Sequence, residues 1–172
     1  MRKIVLISGI VCIMFSAKAQ VIKSKLDVVC GASAREYYHL GLRYQYIDNF
    51  QLGLYYGNSL GINSKTIYTY SINNLIHFGE HSFYSNRSVW YARQGYTYAI
   101  KEEGTETTYF SFINIALGRE FNVSEKVGFN VDGGLIIQTS EKTEWSSSIT
   151  PTKKNKTWFY LPLVRVQVYY SF

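Results

Sequence analysis

The strongest constraint on this fold is a two-residue alternation of apolar and polar side chains that recurs along the chain. It is clearest in the last segment, 158–172, which reads WFYLPLVRVQVYYSF. Every second residue from Trp158 to Phe172 is apolar, whereas the opposite set has Arg165 and Gln167 near its centre. This period is typical of a β-strand with one apolar face. The pattern therefore predicts a chain built from strands.

Eight alternating segments follow residue 20, and turn-forming residues separate them. Their bounds are 25–34, 36–47, 50–60, 65–79, 88–100, 106–121, 126–141 and 157–172. The sixteen tyrosines and ten phenylalanines also favour strands. An even number of strands allows both ends of a closed antiparallel sheet to lie on one side. We therefore predict one all-β domain, residues 20–172, folded as a closed, antiparallel, up-and-down eight-stranded barrel.

Residues 1–19 have the three parts of a secretory signal peptide. A basic start at 2–3 precedes an apolar run at 4–15, and the Ala-Lys-Ala sequence at 17–19 is a small-x-small cleavage site. The apolar run is shorter than the ~20 residues that a membrane-spanning helix needs. We expect cleavage after residue 19.

Loss of the signal peptide on export changes both the net charge and the number of cysteines. Loss of residues 1–19 removes three basic residues, which leaves 15 basic against 12 acidic residues and a net charge of about +3. That charge is too low to indicate a nucleic-acid-binding protein. Cys30 is the one cysteine that remains, so no intramolecular disulfide is expected. No spacing of Cys or His indicates a metal site, and no cofactor is expected.

The residues on the two strand faces distinguish a membrane barrel from a soluble one. In 36–47 and 50–60, Leu and Tyr dominate one face, while Gly, Gln and Arg occupy the other. A soluble barrel would pack those rings into a narrow interior and expose the Gly and small polar residues to water. A membrane barrel places the apolar set against lipid and the polar set inside. The pattern favours the transmembrane barrel, and an exported soluble barrel that binds a small apolar ligand is an alternative.

The final strand also resembles a known signature. Alternating apolar residues that end in Phe resemble the terminal strand of bacterial outer-membrane barrels, at positions Val164, Val166, Val168, Tyr170 and Phe172. With the signal peptide and the eight strands, the mature chain resembles the small OmpA/OmpX-type barrels of Gram-negative bacteria. The resemblance implies a monomer in the outer membrane, in contact with its lipids and lipopolysaccharide. It also implies that the barrel-assembly machinery recognises this strand.

The resemblance further implies that both termini are periplasmic. The short inner turns would then be 48–49 and 122–125, and the outer loops would lie near 34–35, 61–64, 101–105 and 142–156. The connection at 80–87 is longer than expected for an inner turn. In the last outer loop, we expect contact with lipopolysaccharide phosphates or a surface ligand; the alternative is a solvated loop. The residues concerned are Lys153, Lys154 and Lys156.

Charged residues on the polar faces are candidates for a lumen network. They are Arg43, Arg93, Glu120, Asp132 and Arg165, with Asp27 as a further candidate. Ionisable groups in membrane proteins usually face the interior and pair, so we expect a structural plug of ion pairs. We expect Arg165 to reach Asp132 on the adjacent strand. A gate or relay, or acid–base catalysis by two carboxylates, are the functional alternatives.

The histidines introduce an enzymatic alternative. Some small outer-membrane barrels modify lipid A and use a His with a nearby Ser or acid. Here His81 adjoins Ser82, but neighbours on a strand face opposite ways, and Glu36 is the acid nearest to His39 or His77. The sequence therefore predicts a non-enzymatic outer-membrane barrel with a structural or surface-interaction role. A lipid-A-modifying barrel enzyme is the alternative.

Overall fold

Strands make up most of the described chain. The computed structural model describes residues 26–34, 36–59, 66–84, 87–104, 106–145, 153–155 and 159–172. The strands are β1 (Leu26–Ser33), β2 (Tyr37–Ile47), β3 (Phe50–Asn58), β4 (Thr66–His81), β5 (Ser88–Glu103), β6 (Glu106–Asn122), β7 (Val127–Trp145), β8 (Lys153–Asn155) and β9 (Phe159–Ser171). No helix in these residues is long and apolar enough to cross a membrane. The predicted signal peptide lies outside the described residues.

All of these strands except β8 close into one antiparallel barrel. From β1 to β7 each strand pairs with the next along the chain, and β9 pairs with both β7 and β1. Within these eight strands each strand has a neighbour on both sides, so backbone donors and acceptors find partners within the barrel. The predicted fold class is therefore confirmed. Leu26 and Phe172 lie at the same end of the barrel, which we call the terminal end, and the opposite end is the loop end.

The predicted connection at 142–156 is wrong in part, because it contains strand structure. β7 extends to Trp145, whereas its pairing with β9 stops at Gln138. The overhanging edge of β7 pairs instead with β8, which places Lys154 opposite Lys142. This strand depends on a neighbour that is distant in sequence, so local alternation did not indicate it. Lys156 lies outside the described residues.

The polarity of the barrel is inverted relative to that of a soluble protein. Among the described residues, 32 large apolar or aromatic side chains are exposed, while 25 polar or charged and 10 apolar residues are buried. On β2, Leu40 is 64% exposed and Arg43 is fully buried. Exposure of apolar surface to water costs about 25 cal/mol per Å². A continuous exterior of this kind therefore requires an apolar surrounding.

Aromatic side chains form a band near each end of the outer surface. The terminal-end band contains Tyr46, Phe50, Phe78, Trp90, Phe121, Phe129, Tyr170 and Phe172, and the loop-end band contains Tyr38, Tyr56, Tyr70, Tyr98, Tyr109 and Tyr160. Neighbouring rings pack together within the bands, as Phe121 and Phe129 do with centroids 4.8 Å apart. Such bands are typical of the two interfaces of a membrane-spanning barrel.

The interior also contains an apolar layer that the alternation did not predict. Ala99, Phe112, Ala116, Ile136 and Leu163 form a buried cluster. Along their own strands, Ile136 and Leu163 lie on the loop-end side of Asp132 and Arg165. On β7 and β9 this layer therefore separates the charged residues from the loop end.

Candidate functional site in the barrel interior

Eight charged side chains are buried inside the described barrel. They are the acids Asp27, Glu36, Glu120 and Asp132 and the arginines Arg43, Arg87, Arg93 and Arg165. The set includes all five predicted lumen residues and Asp27, and it adds Glu36 and Arg87. Equal numbers of acids and arginines give the network no net formal charge.

Asp132 on β7 is the centre of the half of this network nearer the loop end. It lies directly opposite Arg165 on β9, whose Nε donates to Asp132 Oδ2 at 2.9 Å. Arg93 Nη2 on β5 donates to Oδ1 at 2.9 Å, and the Tyr91 hydroxyl donates to Oδ2 at 3.0 Å. Gly118 leaves space for the Tyr91 ring, because a Cβ there would collide with it. One carboxylate thus connects three strands.

Glu36 enters the same half of the network from the turn between β1 and β2. Its Oε1 accepts hydrogen bonds from Ser71 Oγ at 2.8 Å and Thr97 Oγ1 at 3.4 Å. Its Oε2 lies 3.8 Å from Arg165 Nη1. The next residue, Tyr37, has a φ of 52°, which is uncommon for a residue with a side chain. The sequence-based interpretation missed this role because it placed residue 36 at the start of a strand.

Arg43 joins opposite sides of the barrel in the half nearer the terminal end. Its Nη1 donates to Glu120 Oε1 at 3.0 Å, and its Nη2 lies 3.5 Å from Asp27 Oδ2. Its guanidinium also lies 4.8 Å from the centre of the Tyr169 ring. Because β2 and β6 are not neighbours in the sheet, the pair with Glu120 crosses the lumen.

Arg87 explains the unusual length of the connection between β4 and β5. From this terminal-end turn, Arg87 Nη1 donates to Asp27 Oδ2 at 2.9 Å and to Glu120 Oε2 at 3.4 Å. Its Nη2 and Nε also donate to Gln45 Oε1, at 3.2 and 3.3 Å. The turn therefore inserts a cation into the barrel from the terminal end. The excess length of the connection was the available sequence signal.

Replacement of Arg87 by Met should lower the free energy of unfolding by about 2 kcal/mol, because hydrogen bonds to charged groups contribute about 1.5–3 kcal/mol. Chemical denaturation of the refolded barrel would measure the loss. Lys126→Met is the matched control, since Lys126 is exposed in another terminal-end turn; its effect should stay within about 0.5 kcal/mol. Equal effects of the two variants would contradict a role for Arg87 in the network.

The two buried histidines contact neutral groups. His39 Nδ1 lies 3.2 Å from Tyr37 O, and its Nε2 lies 2.7 Å from the Gln167 amide nitrogen. His77 Nδ1 lies 3.0 Å from Ser88 O, and its Nε2 lies 3.0 Å from Gln51 Oε1. Among the residues that the structure describes, no three His, Cys, Asp or Glu side chains form a metal-binding group. These contacts orient both rings, and none of the four is to a nucleophile of the described chain.

The predicted assembly-signal residues lie outside the interior. The proposed assembly signal occupies the outer face of β9, where Val164, Val166, Val168, Tyr170 and Phe172 are all exposed. Recognition of that face by an assembly machinery stays a prediction. Lys153 and Lys154 belong to β8, at the loop end.

A closed eight-stranded barrel with an apolar exterior and a charged interior belongs to the class of transmembrane β-barrels, and this chain has the fold of an OmpA-type outer-membrane barrel. It is similar to the N-terminal β-barrel domain of Pseudomonas aeruginosa OprF, with a TM-score of 0.52 and 13% identity over 87% of this chain and 96% of that one. Acinetobacter baumannii CarO gives a TM-score of 0.51 and 14% identity over 90% of this chain and 100% of that one. No protein-family model and no curated protein matches the sequence.

Proposed function

We propose that this protein is a non-enzymatic barrel of the bacterial outer membrane, with a structural or surface-interaction role. The observation that supports this proposal is the combination of an apolar exterior with a buried, charge-balanced interior. Arg43, Arg93 and Arg165 are fully buried and fill the lumen together with their acidic partners. Such a filling stabilises the barrel and leaves interactions with other molecules to its surfaces.

The proposed orientation places the terminal end in the periplasm and the loop end outside the cell. The short turn at 48–49 lies at the terminal end, whereas the long connection between β7 and β9 lies at the loop end. We propose that the lysines of this connection contact lipopolysaccharide phosphates or a surface ligand. Loops on a rigid barrel are common sites of recognition. The outer face of β9 is the proposed signal for barrel assembly.

Two observations weigh against the alternatives. A lipid-modifying enzyme needs an activated nucleophile, whereas the described contacts of His39 and His77 are to carbonyl and amide groups. A soluble barrel that binds a small apolar ligand would need an apolar interior with free space. Here the described interior contains eight buried charged side chains, together with an apolar cluster packed on the loop-end side of Asp132 and Arg165.

The membrane proposal predicts that the folded barrel resists denaturing detergent. An unboiled sample should migrate differently from a boiled one on a denaturing gel, because the closed hydrogen-bonded barrel stays intact until heated. Cell fractionation should recover the protein with outer membranes. Recovery in the soluble periplasmic fraction would contradict the proposal, and identical migration before and after boiling would contradict a stable closed barrel.

A further inference from the structure

Arg119 is the one described arginine whose side chain faces the outside of the barrel. It lies on β6, three residues before the strand ends at Asn122 on the terminal end. Its neighbours along this outward face are Leu117 and Phe121, both exposed. Within the described part of the chain, no acid pairs with Arg119 and no oxygen accepts a hydrogen bond from its guanidinium. The positive charge of Arg119 thus lies on the apolar exterior of the barrel without a described protein partner for its N–H donors.

Two aromatic rings hold this guanidinium within the terminal-end band. Its Cζ lies 5.2 Å from the ring centre of Trp90, which is directly opposite on β5, and 5.2 Å from that of Phe121. Phe121 is two residues closer to the terminal end, so the side chain extends toward that end. Long basic side chains commonly extend in this way to reach the membrane interface. The charge therefore lies at the aromatic band and away from the middle of the strand.

We propose that Arg119, Trp90 and Phe121 form a binding site for the phosphate of a phospholipid headgroup. A guanidinium binds phosphate through paired N–H donors, and aromatic contacts orient it without using those donors. The apolar exterior that continues toward the loop end, beginning with Leu117 on the same strand, provides a surface for the acyl chains. The site rests on the membrane location proposed above, with the terminal end in the periplasmic leaflet.

The test uses the full mature barrel in detergent micelles, with bound lipid counted by native mass spectrometry. Dioleoylphosphatidylglycerol should bind the unmodified barrel, whereas dioleoylglycerol, which has the same chains but no phosphate, should bind at least about tenfold more weakly, equivalent to about 1.4 kcal/mol. Arg119→Gln should weaken phosphatidylglycerol binding by a similar factor, because it removes the charge-assisted contacts. Arg119→Lys should give a smaller loss, because it retains the charge without the planar fork.

Lys126→Gln is the matched control, since it removes one exposed charge at the same end of the barrel. Its effect on phosphatidylglycerol binding should be less than twofold. Equal losses in Arg119→Gln and Lys126→Gln would overturn the site in favour of general electrostatic attraction. Displacement of the lipid by millimolar inorganic phosphate would overturn the assignment to a lipid.

Insertion of each variant into vesicles is measured separately. Failure of the unmodified barrel to insert would contradict the membrane location. Normal insertion with unchanged lipid binding in Arg119→Gln would contradict only this site.

Discussion

Asp132→Asn is expected to lower the free energy of unfolding by about 3–5 kcal/mol, because it leaves buried arginines without their carboxylate. Arg165 would retain its longer ion pair with Glu36, in which Nη1 lies 3.8 Å from Oε2. Arg93 Nη1 would still donate a hydrogen bond to Asn73 Oδ1, at 3.1 Å. Urea titration of the barrel refolded in phospholipid vesicles would measure the loss. The single variant also leaves one excess positive charge in the network.

A second substitution separates loss of the charge pair from simple damage to the interior. Arg165→Met in the Asp132→Asn background restores charge balance, so the double variant should lose at least about 1 kcal/mol less than the sum of the single variants. Asn130→Ala is the matched control, because Asn130 is neutral, fully buried and on the same face of β7; it should cost about 1 kcal/mol. Additive single effects, or a loss for Asn130→Ala as large as that for Asp132→Asn, would contradict an energetic coupling through the network.

Val166→Arg is expected to cost about 2–4 kcal/mol, because it places a charge against lipid near mid-depth. Val166 is 48% exposed and lies near the middle of β9. Denaturation in vesicles of defined phospholipids would measure the cost, and the same variants in detergent would show whether lipid is the cause.

Val127→Arg makes the same chemical change near the membrane interface. Val127 is the first residue of β7 and lies at the terminal end, where an arginine should cost only about 0–1 kcal/mol. A soluble barrel would expose both valines to water and tolerate both substitutions, so similar small effects would rule out the membrane assignment. A large effect of Val127→Arg alone would mean that the terminal end is not at an interface.

Alternation predicted the barrel strands well because a two-residue period determines which side chains share a face. On β2 and β3 the outward set, from Leu40 to Tyr56, agrees with the apolar face of the sequence. The same two-residue period predicts that each of these charged residues faces the lumen. The pattern does not determine which of those charges meet across the barrel, because that depends on strand tilt and stagger.

The missed features lie where the two-residue alternation no longer determines the direction of a side chain. Glu36 and Arg87 belong to connections, and their direction depends on local backbone such as the positive φ of Tyr37. β8 forms because β7 extends beyond its pairing with β9. The apolar layer around Phe112 and Ile136 was missed because apolar residues on the inner face do not stand out in a chain that is apolar on its outer face.

The ion pairs that cross the lumen have a consequence for how this chain can enter a bilayer. Arg43 on β2 meets its acid on β6, and Arg93 on β5 meets its acid on β7, so no single hairpin carries both members of either pair. The β2–β3 hairpin or the β4–β5 hairpin, inserted alone, would bring Arg43 or Arg93 into hydrocarbon without its acidic partners, which is costly. Insertion intermediates are therefore high in free energy until the distant strands arrive. The result is cooperative folding, in which strands cross the membrane together and partly inserted forms do not accumulate.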